Sequence, residues 1–247
     1  MVLCLFGCAQ QSVAPPFKMV EIQILYRDTL SVRALEVMPG SVGFGGSSGL
    51  FGSVDTQDFS VRTSRIEHQG SYPEFRATGH TATDFFLLSA GSPALLYKTG
   101  DQGSMELVYA DYDPKVFYDS MAFWDDLNGI AVGDAMEGCL SILMTRDGGN
   151  TWEKAPCDDL PTALPGEGAF AASDTNIAIA GAACWIATSR GRILYSPDKG
   201  KTWEVLATPL QTETETQGLY SLDFYNAQQG YAIGGDYGRY RGLIACR

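Results

Sequence analysis

One octapeptide occurs twice in this chain and limits what it can fold into. Thr145-Arg-Asp-Gly-Gly-Asn-Thr-Trp152 returns as Ser196-Pro-Asp-Lys-Gly-Lys-Thr-Trp203, so both copies read Ser/Thr-x-Asp-x-Gly-x-Thr-Trp. Asp147 and Asp198 stand 51 residues apart, the length of one four-stranded supersecondary unit rather than of a hairpin or a helix pair. The pattern has the chemistry of a tight turn that closes on itself. A short carboxylate (Asp147, Asp198) can accept from backbone amides two or more residues on, Gly149 and Gly200 can supply a positive φ, and Thr151 and Thr202 add hydroxyls. Trp152 and Trp203 then bring a large apolar surface to an outgoing strand. The apolar runs Leu140–Met144 and Ile193–Tyr195 precede the two turns, so each copy reads as strand, turn, strand.

Residues Thr145, Asp147, Gly149, Thr151 and Trp152, with Ser196, Asp198, Gly200, Thr202 and Trp203, resemble the Asp box, the bacterial neuraminidase repeat. That repeat is found in sialidases, sortilin-type receptors and the photosystem II stability/assembly-factor family. The resemblance implies an architecture, a β-propeller, and leaves function open because such turns recur in propellers of unrelated activity.

Using the turn as a ruler exposes weaker copies. Thr99-Gly-Asp-Gln-Gly103 keeps Thr, Asp and Gly 46 residues before Asp147, and Ser53-Val-Asp55 keeps Ser and Asp another 46 residues earlier. A second ruler, Asn128-Gly-Ile-Ala-Val-Gly-Asp134, returns as Gln229-Gly-Tyr-Ala-Ile-Gly-Gly-Asp236, with Asn176-Ile-Ala-Ile-Ala-Gly181 as a looser copy between them. Both rulers divide the chain into four-stranded repeats near 30–70, 71–115, 116–163, 164–216 and 217–247, with the glycine-bearing turn joining the third strand to the fourth. The expected fold is all-β, a propeller of four-stranded blades. Met19–Leu25 alternates like an edge or closing strand. Leu243–Arg247 aligns with Ile142–Arg146, so the next residue would open another turn; this predicts a C-terminally truncated propeller, with six or seven blades in the intact protein.

A formal charge of −12 speaks against a phosphate-binding surface, so nucleic acid is set aside as a partner. Residues 1–17 form a separate segment, with propeller from 18 to 247. Leu5-Phe-Gly-Cys8, followed by Gln10, Gln11, Ser12 and Pro15-Pro16, is similar to bacterial lipoprotein signals. That reading implies lipidation at Cys8, export to the periplasm or the outer membrane and cell surface of a bacterium, and membrane contact only through the lipid. Export permits disulfides among Cys139, Cys157, Cys184 and Cys246, in any of three pairings. No spacing of His or Cys suits a metal, and no cofactor motif is present.

The turns and the loops between second and third strands must lie on opposite faces of a blade, so functional groups are sought away from the turns. Aligning the starts of the innermost strands brings Arg33 and Arg76 to equivalent positions in adjacent repeats, with Asp119, Glu167 and Tyr220 as neighbours. Two guanidiniums at a channel mouth suit a carboxylate ligand. The arrangement is similar to the arginine-lined pocket of sialidases, which implies Asp119, Glu167 and Tyr220 as catalytic candidates; the Phe-Arg-Ile-Pro motif of that family is absent. A second cluster of ligand candidates comprises Trp185, Arg190 and Arg192 in a loop spanning 181–192, and Tyr237, Arg239, Tyr240 and Arg241. Similarity to the assembly-factor-like propellers implies a non-enzymatic scaffold with a protein partner. The alternative is a glycan-active propeller, either a glycoside hydrolase or a carbohydrate-binding module.

Overall fold

The computed structural model describes residues 19–100, 104–170, 174–210, 212–238 and the backbone of 244–246. Cys8, the degenerate turn at 101–103, and Arg239, Tyr240 and Arg241 lie outside the described residues, as does the side chain of Cys246.

The strands form five antiparallel sheets in chain order. Blade 1 holds β1 (Val32–Met38), β2 (Ser41–Gly46), β3 (Leu50–Asp55) and β4 (Val61–Arg65). Blade 2 holds β5 (Phe75–His80), β6 (Phe85–Ser89), β7 (Ala94–Thr99) and β8 (Met105–Asp111). In blade 3 these places are taken by β9 (Tyr118–Phe123), β10 (Gly129–Met136), β11 (Cys139–Thr145) and β12 (Glu153–Lys154). Blade 4 has β13 (Ile177–Ala180), β14 (Ala183–Ala187), β15 (Arg192–Ser196) and β16 (Glu204–Ala207). Blade 5 has β17 (Gln217–Asn226), β18 (Gln229–Asp236) and β19 (Ile244–Cys246). Each sheet is a meander, so every strand pairs with its sequence neighbour and the first strand of each blade lies innermost. Those inner strands stand in series, β1 against β5, β5 against β9, β9 against β13 and β13 against β17.

The core is divided among the spaces between blades. Phe75, Phe85, Leu87 and Tyr97 meet Met38 and Phe51 between blades 1 and 2, while Phe86, Leu96, Tyr118, Leu143 and Trp152 fill the space between blades 2 and 3. Ile130, Ile142, Ile177 and Ile186 join blades 3 and 4; Trp185, Leu219 and Leu222 join blades 4 and 5. Alternation at period two sends one residue of each pair to each neighbouring blade, so strands such as β6, buried along its whole length, read as continuous apolar runs.

The repeated turns fold by their own side chains. Asp147 accepts from the Thr151 amide (3.0 Å) and hydroxyl (2.7 Å), while Thr145 Oγ1 donates to it (2.9 Å) and accepts from Gly149 N (2.9 Å). Asp198 repeats this with Thr202 (2.8 and 2.7 Å) and Ser196 (2.9 Å), and Ser196 accepts from Gly200 N (2.8 Å). Burial pushes both carboxyls up, but these bonds outweigh it and leave Asp147 below the usual carboxylate range and Asp198 at about 2. Each turn also leans on the first-to-second turn of its own blade: Gly148 N donates to Leu127 O (3.0 Å) and Lys199 N to Ala182 O (2.8 Å), which puts the two turns on one face.

Three expectations change. Met19–Leu25 forms no strand and is exposed, because alternation makes a strand only where a partner edge receives it. Asn176–Gly181 belongs to the first strand of its blade, not the second: Ser196 stands opposite Cys184 as Thr145 stands opposite Gly129, so β14 is the counterpart of β10. Consequently residues 181–192 are not one loop. Strand β14 runs through them, and Trp185 is core, 3% exposed and stacked at 3.8 Å on Phe224.

Candidate functional site

Four of the five inner strands carry a register shift at the same place. It falls between Val32 and Ala34, Phe75 and Ala77, Tyr118 and Ser120, and Leu219 and Ser221, so the extra residues are Arg33, Arg76, Asp119 and Tyr220. A bulge bends its strand and re-aims the extra side chain out of the ladder alternation. Just outside the shifts of blades 1, 2 and 3 a long-range amide closes the hairpin: Ser47 N to Ser31 O (2.9 Å), Ala90 N to Glu74 O (3.0 Å) and Asp134 N to Phe117 O (2.9 Å). Blade 4 has the same bond from Ser189 N to Gly168 O (2.7 Å), which puts Phe170, three residues beyond Glu167, at the bulge position of that blade. The channel mouth therefore carries Arg33, Arg76, Asp119, Phe170 and Tyr220.

Arg33 is exposed and Arg76 half-buried, and among the described residues neither has an ion-pair partner. Asp119 is their opposite. It is 0% exposed, and neither carboxylate oxygen accepts a hydrogen bond of ordinary geometry. Burial, and then the neighbouring Asp134 charge, push its carboxyl well above the usual range; the nearby Ala169 amide and the Arg76 charge offset this only in part. Burial also raises Asp134, whose Oδ1 would lie 1.7 Å from a Cβ placed on Gly168, so a side chain there would displace that carboxylate. Tyr220 donates its hydroxyl to Thr216 O (3.0 Å) and joins an aromatic cluster, with ring centroids 5.0 Å from Phe170 and 6.4 Å from Tyr237.

No protein-family model and no curated protein matches this chain in sequence. In three dimensions it is similar to the RRP9 WD40 repeats (TM-score 0.59, 11% identity), covering 86% of this chain and 59% of that one. It is also similar to YCF48 from Cyanidioschyzon merolae (TM-score 0.54, 14% identity), over 85% of this chain and 67% of that one. The extracellular domain of the hybrid two-component system BT4673 from B. thetaiotaomicron matches with a TM-score of 0.56 and 12% identity, over 91% of this chain but 28% of that one. The chain is a β-propeller.

The remaining candidates sit elsewhere on this propeller. Glu167 lies in the connection between blades 3 and 4, fully buried and forked onto Arg192, with Nε to Oε1 at 3.0 Å and Nη2 on Oε2; Leu164 N donates to the same carboxylate (2.8 Å). Arg192 Nη2 also donates to Thr162 O (3.0 Å), and Arg190 Nε to Pro165 O (3.0 Å). These arginines clamp the connection, which corrects their reading as ligand contacts and that of Glu167 as a channel acid. Tyr237 is exposed beside Phe170, at a centroid distance of 5.9 Å. Cys139 and Cys157 form a disulfide within blade 3, and Cys184 is a buried free thiol. Among the described residues no three His, Cys, Asp or Glu side chains converge to hold a metal, and no helix is long and apolar enough to cross a membrane.

Asp174 is the residue that sequence reasoning missed. It precedes β13 with a φ of +57°, and its carboxylate accepts from Thr78 N on β5 (2.7 Å) and Met121 N on β9 (3.0 Å). Blade 4 thus ties the inner edges of blades 2 and 3. Burial raises this carboxyl far above the usual range despite the two amides. From Phe170 to the end of its inner strand blade 4 has six more residues than the matching stretch from Asp119 in blade 3, and from there to the turn Asp it has six fewer. The spacing from bulge to turn Asp is therefore the same in both blades, which hides the insertion from a repeat ruler.

Proposed function

We propose that this propeller is a non-enzymatic interaction scaffold whose channel-mouth face, opposite the repeated turns, receives a carboxylate-bearing protein partner. The observation that carries this reading is the pair of guanidiniums at equivalent bulges of adjacent blades, Arg33 and Arg76, neither in an ion pair among the described residues. Two such groups side by side suit bidentate recognition of a carboxylate. The groups an acid-base mechanism would need are held elsewhere: Glu167 by Arg192, the Tyr220 hydroxyl by Thr216 O, and Asp119 in a position closed to solvent. A retaining glycosidase needs two carboxyls across the scissile bond, whereas in the one neighbouring pair described at this mouth, Asp119 and Asp134, Asp119 is wholly buried. The Phe170, Tyr220 and Tyr237 cluster supports a second reading, carbohydrate binding without hydrolysis, because stacked aromatic faces with hydroxyls suit a sugar ring.

We further propose that the protein is exported and anchored through Cys8, ahead of a propeller whose first strand opens at Val32. The Cys139–Cys157 disulfide supports an oxidising compartment.

The test is a screen of immobilised peptides with free or amidated C-termini, and of a glycan array, against wild type and an Arg33→Ala/Arg76→Ala variant. The scaffold reading expects binding to free or side-chain carboxylates that the variant loses. Turnover of an aryl sialoside, or glycan binding indifferent to the arginines, sinks it.

A further inference from the structure

A second recessed site lies on the same face, between the blade 1–2 connection and the loop from β6 to β7. It encloses about 200 Å³ and has a floor of buried Leu95, walls of His68, Tyr72, Pro73 and Pro93, and the Glu74 carboxylate at its rim. Pockets for whole small molecules run from roughly 300 to 1,000 Å³, so this one is sized for a single long side chain.

Its parts are fixed before any ligand arrives. Both ring nitrogens of His68 face phenols, Nε2 at 3.1 Å from Tyr112 Oη and Nδ1 at 3.3 Å from Tyr97 Oη, so His68 contributes a wall. The Tyr72 ring, 52% exposed, stands beside Gly49, and Gly49 N donates to Pro73 O (2.7 Å). Two prolines stiffen the flanking loops. Glu74 Oε1 accepts from Ser48 N (2.9 Å), which orients the carboxylate and leaves Oε2 for a ligand. Arg65 donates to Ser48 O (2.9 Å), and among the described residues no cation lies within ion-pair distance of Glu74.

We propose that this pocket receives a lysine side chain of the partner polypeptide. The inference rests on the same face being the one that binds a partner. An apolar shaft ending at an anionic rim matches an aliphatic stem with a charged tip. Lysine is chosen over arginine because a pocket of about 200 Å³ suits an unbranched stem with a compact ammonium better than a planar guanidinium, and the carboxylate stands at its rim. With Arg33 and Arg76 on the same face, the propeller reads a partner by two charges of opposite sign.

The experiment is an amide-shift NMR titration of the full chain with Nα-acetyl-lysine methylamide and with the norleucine compound, which keeps the four-carbon stem and lacks the ammonium. Expected are saturable shifts at 71–74 and 91–95, with millimolar affinity for lysine and about tenfold weaker binding of norleucine, the value of one charged hydrogen bond. Glu74→Gln keeps an acceptor for Ser48 N and should erase the discrimination. Arg33→Ala/Arg76→Ala should leave it intact, so failure of the carboxylate site and failure of this pocket are separable. Equal binding of the two compounds, discrimination surviving in Glu74→Gln, or no shifts in these segments overturns the proposal.

Discussion

Asp119→Asn should make the propeller more stable at pH 8 and flatten its stability against pH. Asp119 is wholly buried, its oxygens lack ordinary hydrogen-bond donors, and Asp134 adds a like charge. Its folded-state pKa is therefore raised. In the window above the ordinary carboxylate value the folded chain holds a proton that the unfolded chain has released, so stability falls as pH rises, by at most about 1.4 kcal/mol per pH unit for this one proton. Once both states are ionised the buried charge has its full cost, on the order of 2 kcal/mol for a buried group left without a partner. Asparagine is neutral throughout and can donate to Asp134. Urea unfolding followed by tryptophan fluorescence at pH 4, 5, 6 and 8 measures this directly: the wild type should lose stability as pH rises from 4, and the variant should lose less and exceed it at pH 8 by about 2 kcal/mol. Asp134, Asp174 and Glu36 are raised by burial in the same sense, so some slope should persist in the variant. An unchanged slope, or a variant less stable than wild type at pH 8, would refute the reasoning.

The two turn tryptophans should behave unequally. Trp152 is buried against Phe86 and Phe123, so Trp152→Ala should cost about 3–5 kcal/mol. Trp203 is half-buried, and Trp203→Ala should cost about 1–2 kcal/mol in the same denaturation assay; equal losses would contradict the packing described. Gly149 has a φ of +78° and its missing Cβ would lie 2.3 Å from the Phe86 ring, whereas Gly70, with a φ of +80°, faces open space. Gly149→Ala should therefore destabilise beyond the roughly 1–2 kcal/mol backbone cost expected of Gly70→Ala alone, as read from the shift in melting temperature. The Cys139–Cys157 disulfide closes a loop over a sequence separation of 18, worth about 3 kcal/mol in the loop-entropy estimate. Dithiothreitol should lower the urea midpoint of the wild type and leave a Cys139→Ala/Cys157→Ala variant unmoved.

What sequence alone settled was whatever local chemistry repeats. The Asp147 and Asp198 turns are built from side chains within seven residues of one another, so their geometry survives transfer between blades, and their spacing divided the chain into the five sheets found. The equivalence of Arg33, Arg76, Asp119 and Tyr220 was legible from aligning the starts of the inner strands, where the register shifts fall. Residue type did not reveal environment. Trp185 looked like a loop anchor until the register of β14 buried it, and Glu167 and Arg192 looked separate until the blade connection brought them within bonding distance. Asp174 and the Glu74 pocket were beyond reach in one dimension. Their partners come from two or more blades, 96 residues away for Asp174 and Thr78, and compensating length changes kept the repeat spacing unaltered. Period fixes which strands pair; only the packing of blades decides which polar groups are left facing the channel without partners.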